Sequence, residues 1–146
     1  MISEFLNDEH RRCDEAFSSA EAAVDHGDVE SARQHFQDFS AAMERHFAAE
    51  EEVLFPRFEE LTGNVGGPTA VMRDEHAQMR ALLSDMNFEL EGDDGGDFLD
   101  QSETLLILMQ QHNLKEEEML YPMMDQVLAG ESEALLERLR AADNHG

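Results

Sequence analysis

Two stretches of this chain carry the same chemistry in the same order. His46 to Pro56 reads HFAAEEEVLFP and His112 to Pro122 reads HNLKEEEMLYP, at an offset of 66 residues. In each, a glutamate follows the histidine by four positions: Glu50 after His46, and Glu116 after His112. Residues four apart on a helix share a face, one turn from each other, so each pair can aim an imidazole and a carboxylate the same way. The same offset carries Asp8-Glu9-His10 onto Asp74-Glu75-His76, and Met43 onto Met109. His10 and His76 therefore belong to the pattern, each 36 residues before its partner histidine. Six polar groups inside an apolar core are costly unless satisfied, and metal coordination satisfies them. Imidazole with carboxylate suits iron, manganese or zinc, and a carboxylate can bridge two ions. Four imidazoles and two such carboxylates make a two-metal site the natural reading. One His-x-x-x-Glu pair alone is more often a surface ion pair; repetition at a matched depth separates these two from that background.

The other candidates carry less. His26 sits among turn residues, His145 lies at the frayed end of the chain, and His35 has no repeat counterpart and is expected on the surface. Glu51, Glu52, Glu117 and Glu118 continue the acidic runs and are expected to be solvated. Cys13 follows His10 by three residues and reads as a small core residue rather than a ligand. Tyr121 and Phe55 read as packing residues beside Pro122 and Pro56.

The elements that must position these groups are helices. Leu, Met, Ala, Glu and Gln dominate, and all lose little rotamer freedom in a helix. The stretches His26-Gly27-Asp28, TGNVGGP (62–68) and GDDGG (92–96) break the chain into four periodic segments, near 2–25, 29–61, 68–91 and 97–129. A short terminal helix is expected over Glu131 to Ala142. Pro68 suits a first helical turn. Pro56 and Pro122 should kink or end their helices, since each removes a hydrogen bond. Short connections within each half make neighbours antiparallel, which gives an all-α, up-down-up-down four-helix bundle. The chain is then one domain over 1–146, made of two repeated hairpins at about 2–61 and 68–129. His10 lies 16 residues before its turn and His46 lies 18 after it, so both sit about 24–27 Å from that turn at 1.5 Å per residue. His76 and His112 match in the same way, which lets all four converge in one layer.

The formal net charge of -24 makes nucleic acid and anionic membrane surfaces poor partners. Met1 to Arg12 has no apolar stretch of the kind a secretion signal carries, and no run approaches the ~18 apolar residues of a membrane span. Cys13 is the single cysteine and forms no internal disulfide, which fits a cytoplasmic location.

With these motifs, from His10 through His46-x-x-x-Glu50 and His76 to His112-x-x-x-Glu116 with their LFP and LYP tails, the chain resembles the hemerythrin-like (HHE cation-binding) family over about residues 5 to 128. The resemblance implies a four-helix bundle with a non-heme di-iron centre, its two irons joined by an oxo or hydroxo bridge, with manganese or zinc as lesser choices. The ligand set is closest to the bacterial repair-of-iron-centres proteins. By that likeness His10 and His46 bind one iron, His76 and His112 the other, and Glu50 and Glu116 bridge them. Glu75 matches a family glutamate just before the third-helix histidine, whereas a second family glutamate is replaced by Ala42. The oxygen carriers place a fifth histidine where this chain has Arg80. Arginine cannot ligate a metal; it either pairs with Glu44 or Glu75 at the bundle edge or caps the pocket. The function expected from the resemblance is binding of, or reaction with, nitric oxide, dioxygen or peroxide in a stress response, with a redox partner still to be identified and the chain a monomer or homodimer. The alternative is iron storage, donation or sensing without turnover.

Overall fold

The computed structural model describes residues 1–91 and 97–145, with side chains to 142. The expected GDDGG break at 92–96 lies outside the described residues. The first helix, α1 (Ile2–Asp25), buries Leu6, Cys13, Phe17 and Ala20 along one stripe. It ends at Gly27, whose φ of +77° is left-handed and strained for any residue with a Cβ. Asp28 then caps α2 (Val29–Ala48), its side chain accepting from the Ser31 amide at 3.1 Å.

After α2 the chain does not leave the helix. It passes through a π-helical turn, π1 (Ala49–Leu54), into α3 (Phe55–Thr62), which Gly63 closes at φ +68°. The second half repeats this: α4 (Pro68–Glu91), α5 (Phe98–Lys115), π2 (Glu116–Leu120) and α6 (Tyr121–Val127). A 3₁₀ turn at Ala129–Glu131 leads into the terminal helix α7 (Ser132–His145), which runs three residues past the end expected for it.

The two π turns correct the expectation for the prolines. Pro56 and Pro122 are the second residues of α3 and α6, and the rods continue through both. A proline in an α-helix clashes with the carbonyl four residues back. Here the turn before each is widened: the Phe55 amide donates to the Glu50 carbonyl and the Tyr121 amide to the Glu116 carbonyl, five residues back in each case. The wide turn also realigns a drifting stripe. His46, Glu50, Leu54 and Phe58 are all buried and each is four residues from the next. At 3.6 residues per turn such a row rotates by about 40° per step. One turn with more residues returns it to the core, and His112, Glu116, Leu120, Met124 and Leu128 are handled alike.

The four rods form a ring in which α1 meets α2, α2 meets α4, α4 meets α5 and α5 meets α1. No strand occurs among the described residues, and none of their helices is long and apolar enough to cross a membrane. The apolar core is in two parts. One holds Phe17, Phe36, Phe39, Met86 and Phe98 toward the hairpin turns. The other holds Leu6, Leu54, Phe58, Met124 and Leu128 at the opposite end, where Leu135, Leu136 and Leu139 of α7 close it. The buried histidines His10, His46, His76 and His112, with Glu50 and Glu116, lie between them.

Candidate metal centre

The bundle brings all six histidine and glutamate side chains singled out by the repeat into one buried layer. His10 comes from α1, His46 from α2, Glu50 from π1, His76 from α4, His112 from α5 and Glu116 from π2. Glu50, His76 and Glu116 have 0% of their surface exposed. The donor atoms fall into two groups able to hold an ion, one of His10, His46 and Glu116, the other of Glu50, His76, His112 and Glu116. Glu116 belongs to both.

Each imidazole is clamped from behind by a second carboxylate. His10 Nδ1 lies 2.7 Å from Glu117, His46 Nδ1 2.8 Å from Glu9, His76 Nδ1 2.7 Å from Glu51 and His112 Nδ1 2.8 Å from Glu75. Donation from Nδ1 to an acid leaves Nε2 as a bare lone pair aimed inward, the arrangement of metal-bound histidines. The clamps run in a circle: α1 holds α2, π1 holds α4, α4 holds α5, and π2 holds α1.

The inward atoms then meet as acceptor against acceptor. His10 Nε2 and His46 Nε2 are 3.0 Å apart. His76 Nε2 is 3.2 Å from Glu50 Oε1, and His112 Nε2 is 3.0 Å from Glu116 Oε1. These last two pairs are close but misaligned for hydrogen bonding, and Glu50 Oε1, His76 Nε2, His112 Nε2 and Glu116 Oε2 are buried without a hydrogen-bond partner. Orphaned acceptors of this kind are costly, and a shared cation removes the cost.

Protons partly substitute when no ion is bound. Two buried carboxylates side by side do not both ionise. Burial and the neighbouring Glu116 raise Glu50 above the usual carboxylate range. Burial opposes ionisation of Glu116 too, but hydrogen bonds from Glu50 and His10 and the charge on the nearby His112 outweigh it and hold Glu116 well below that range. Burial alone would lower His46; the Glu50 charge and the bond to Glu9 override it and push His46 up to about 9. His112 is raised for the same kind of reason, against its burial, by Glu116 and Glu50.

Several side chains stand differently from their sequence expectations. Glu51, expected in solvent, is half-buried and clamps His76; Glu117 is exposed as expected yet also clamps His10; Glu52 and Glu118 are exposed. The signal was present, since Glu9 maps onto Glu75 and Glu51 onto Glu117 by the 66-residue offset. Tyr121 is not only packing: its hydroxyl reaches into the layer, 2.9 Å from both Glu50 Oε2 and Glu116 Oε1. Burial and those two carboxylates raise its pKa well above the ordinary phenol value. Arg80 pairs with Glu44, at 2.9 and 3.0 Å, and with Glu51 at 3.0 Å rather than with Glu75, which is taken by His112 and Lys115. Arg80 thus braces a clamp from the bundle edge. Cys13 is buried, its thiol pushed up to about 12 by burial and the nearby Glu9. His26 is exposed in its turn and His35 is half-buried on α2.

The family model described as the hemerythrin HHE cation-binding domain matches residues 1–124. No curated protein and no solved structure matches the chain.

Proposed function

The chain belongs to the hemerythrin HHE cation-binding family, and on that premise we propose that it holds two iron ions and uses them to bind or react with a small ligand: nitric oxide, dioxygen or peroxide. His10 and His46 hold one ion, His76 and His112 the other, and Glu50 and Glu116 are shared between them. The observation that supports this most is the set of four buried acceptor atoms, on Glu50, His76, His112 and Glu116, that converge without a hydrogen-bond partner. Zinc or manganese would satisfy the same donors; iron is preferred because of the family. Bound iron supplies a redox-active centre with positions open to a small molecule.

The residues of the chain do the rest. Glu9, Glu51, Glu75 and Glu117 fix the tautomer and direction of each imidazole. Phe47 and Phe55 cover His76, their rings stacked at 4.1 and 6.0 Å, and keep bulk water from that side. The test is rapid mixing of the reduced, iron-loaded protein with dioxygen or nitric oxide while its absorption spectrum is followed. A fast, saturable spectral change is expected. No change with either gas, together with ready loss of iron to a chelator, would refute ligand chemistry and favour iron handling.

A further inference from the structure

The two halves differ at a buried position directly beside the donor layer. Phe55 follows Glu50 by five residues, and Tyr121 follows Glu116 by five. Phe55 offers only its ring, stacked on His76. Tyr121 offers an oxygen, and that oxygen touches four donor atoms of the layer. It lies 3.1 Å from His10 Nε2, 3.3 Å from His46 Nε2, and 2.9 Å from each of Glu50 Oε2 and Glu116 Oε1. A hydroxyl has one proton to donate, so at most one of these four contacts is satisfied by donation.

The distances have a simple geometric meaning. When nitrogen and oxygen donors stand about 2.1 Å from one ion, adjacent donors of an octahedral shell lie about 3.0 Å from each other. His10 Nε2 is 3.0 Å from His46 Nε2 and 3.1 Å from Glu116 Oε1. Tyr121 Oη is set at the same spacing from both imidazoles and both carboxylates. An oxygen standing in for the ion itself would be about 2.1 Å from them instead. We propose that Tyr121 is a ligand of the ion held by His10 and His46, bound through its phenolate oxygen. This rests on the two-ion reading above and adds to it that the two ions are unlike. As the oxygen-to-metal bond forms, the phenol O–H breaks and its proton leaves to solvent. The ion at His76 and His112 has no counterpart of this ligand, and a small molecule is directed to that side.

The chain has a single tyrosine, so any tyrosine signal comes from Tyr121. The experiment loads the full chain with ferric iron, measures iron per chain, and records visible absorption and resonance Raman spectra. A second sample carries ring-deuterated tyrosine. A phenolate-to-iron band in the visible, with enhanced ring modes that shift on deuteration, is expected. Tyr121→Phe is expected to lose that band while keeping its iron. Iron uptake without phenolate modes in the unsubstituted protein overturns the assignment and leaves the two-ion reading standing. Failure to take up iron overturns both. The unsubstituted protein decides the matter even if the variant folds poorly.

Discussion

Replacing Glu9 by glutamine isolates the contribution of one clamp. Glu9 accepts from His46 Nδ1 at 2.8 Å, and its side chain is 9% exposed, so solvent screens the contact little. Glutamine keeps the length and an acceptor oxygen and removes only the charge. A hydrogen bond to a charged group contributes about 1.5–3 kcal/mol and a neutral one about 0.5–1.5. The difference, about 1–1.5 kcal/mol, is close to tenfold in a binding constant. That is the lower end of the ~10–100-fold cost of losing an outer partner of a metal-bound histidine. Competition with a chromophoric chelator for ferrous or cobaltous ion measures it directly, and Glu9→Gln should bind an ion at His46 about tenfold more weakly. Glu117→Gln is the internal comparison. Its carboxylate is 40% exposed and already screened, so the loss should be smaller, about threefold or less. Unchanged affinity in Glu9→Gln, or a larger loss in Glu117→Gln, would show that these acids do not orient the imidazoles as argued.

Elemental analysis of iron-grown protein should give about two metal ions per chain from the donor count; a reproducible value near one would remove the paired site. His46→Ala and His112→Ala should each lower metal content and thermal stability, by about 3–5 kcal/mol for an uncompensated buried charge. His35→Ala should change neither, and equal metal retention in all three would break the ligand assignment. The metal-free protein should lose stability at alkaline pH. His46 is raised from 6.5 to about 9, so its contribution is fully present below 6.5 and is lost as pH rises through about 9. Thermal melts across that window check this, and the same proton should weaken metal binding about tenfold per pH unit below 9. Arg80→Gln frees Glu51 on one side and should weaken binding at His76 two- to fivefold or so, less than removal of a clamp itself; metal competition at matched pH reads it.

The helices were legible because their apolar residues recur at helical spacing and their breaks carry Gly27, Gly63 and Pro68. The six inward donors were legible because the chain states them twice. The rest was hidden by the π turns. On a regular α-helix Tyr121 would lie about 140° around from Glu116, out of its reach. The widened turn π2 brings residues five apart onto one line, and the hydroxyl arrives at 2.9 Å. Glu51 and Glu117 were hidden for a related reason. Each sits in a run of three acids, where only the neighbouring helix decides which one is captured. The buried rows at intervals of four, such as His46, Glu50, Leu54 and Phe58, were the available sign that an ordinary helix would not suffice.

The circle of clamps has a consequence for how the halves of this chain depend on each other. Within residues 1–62, Glu9 holds His46, but the acid for His10 and the imidazole for Glu51 both lie beyond residue 62. The same is true of the other half in the same order, with Glu75 holding His112 while the acid for His76 and the imidazole for Glu117 lie in the first half. Each hairpin therefore displays one unclaimed imidazole and one unclaimed carboxylate, and each is the complement of what its partner lacks. Glu51 and Glu117, which aim His76 and His10, are also the groups by which one hairpin recognises the other. A change to either is felt twice, once as metal affinity and once as the fidelity with which the two halves find their register.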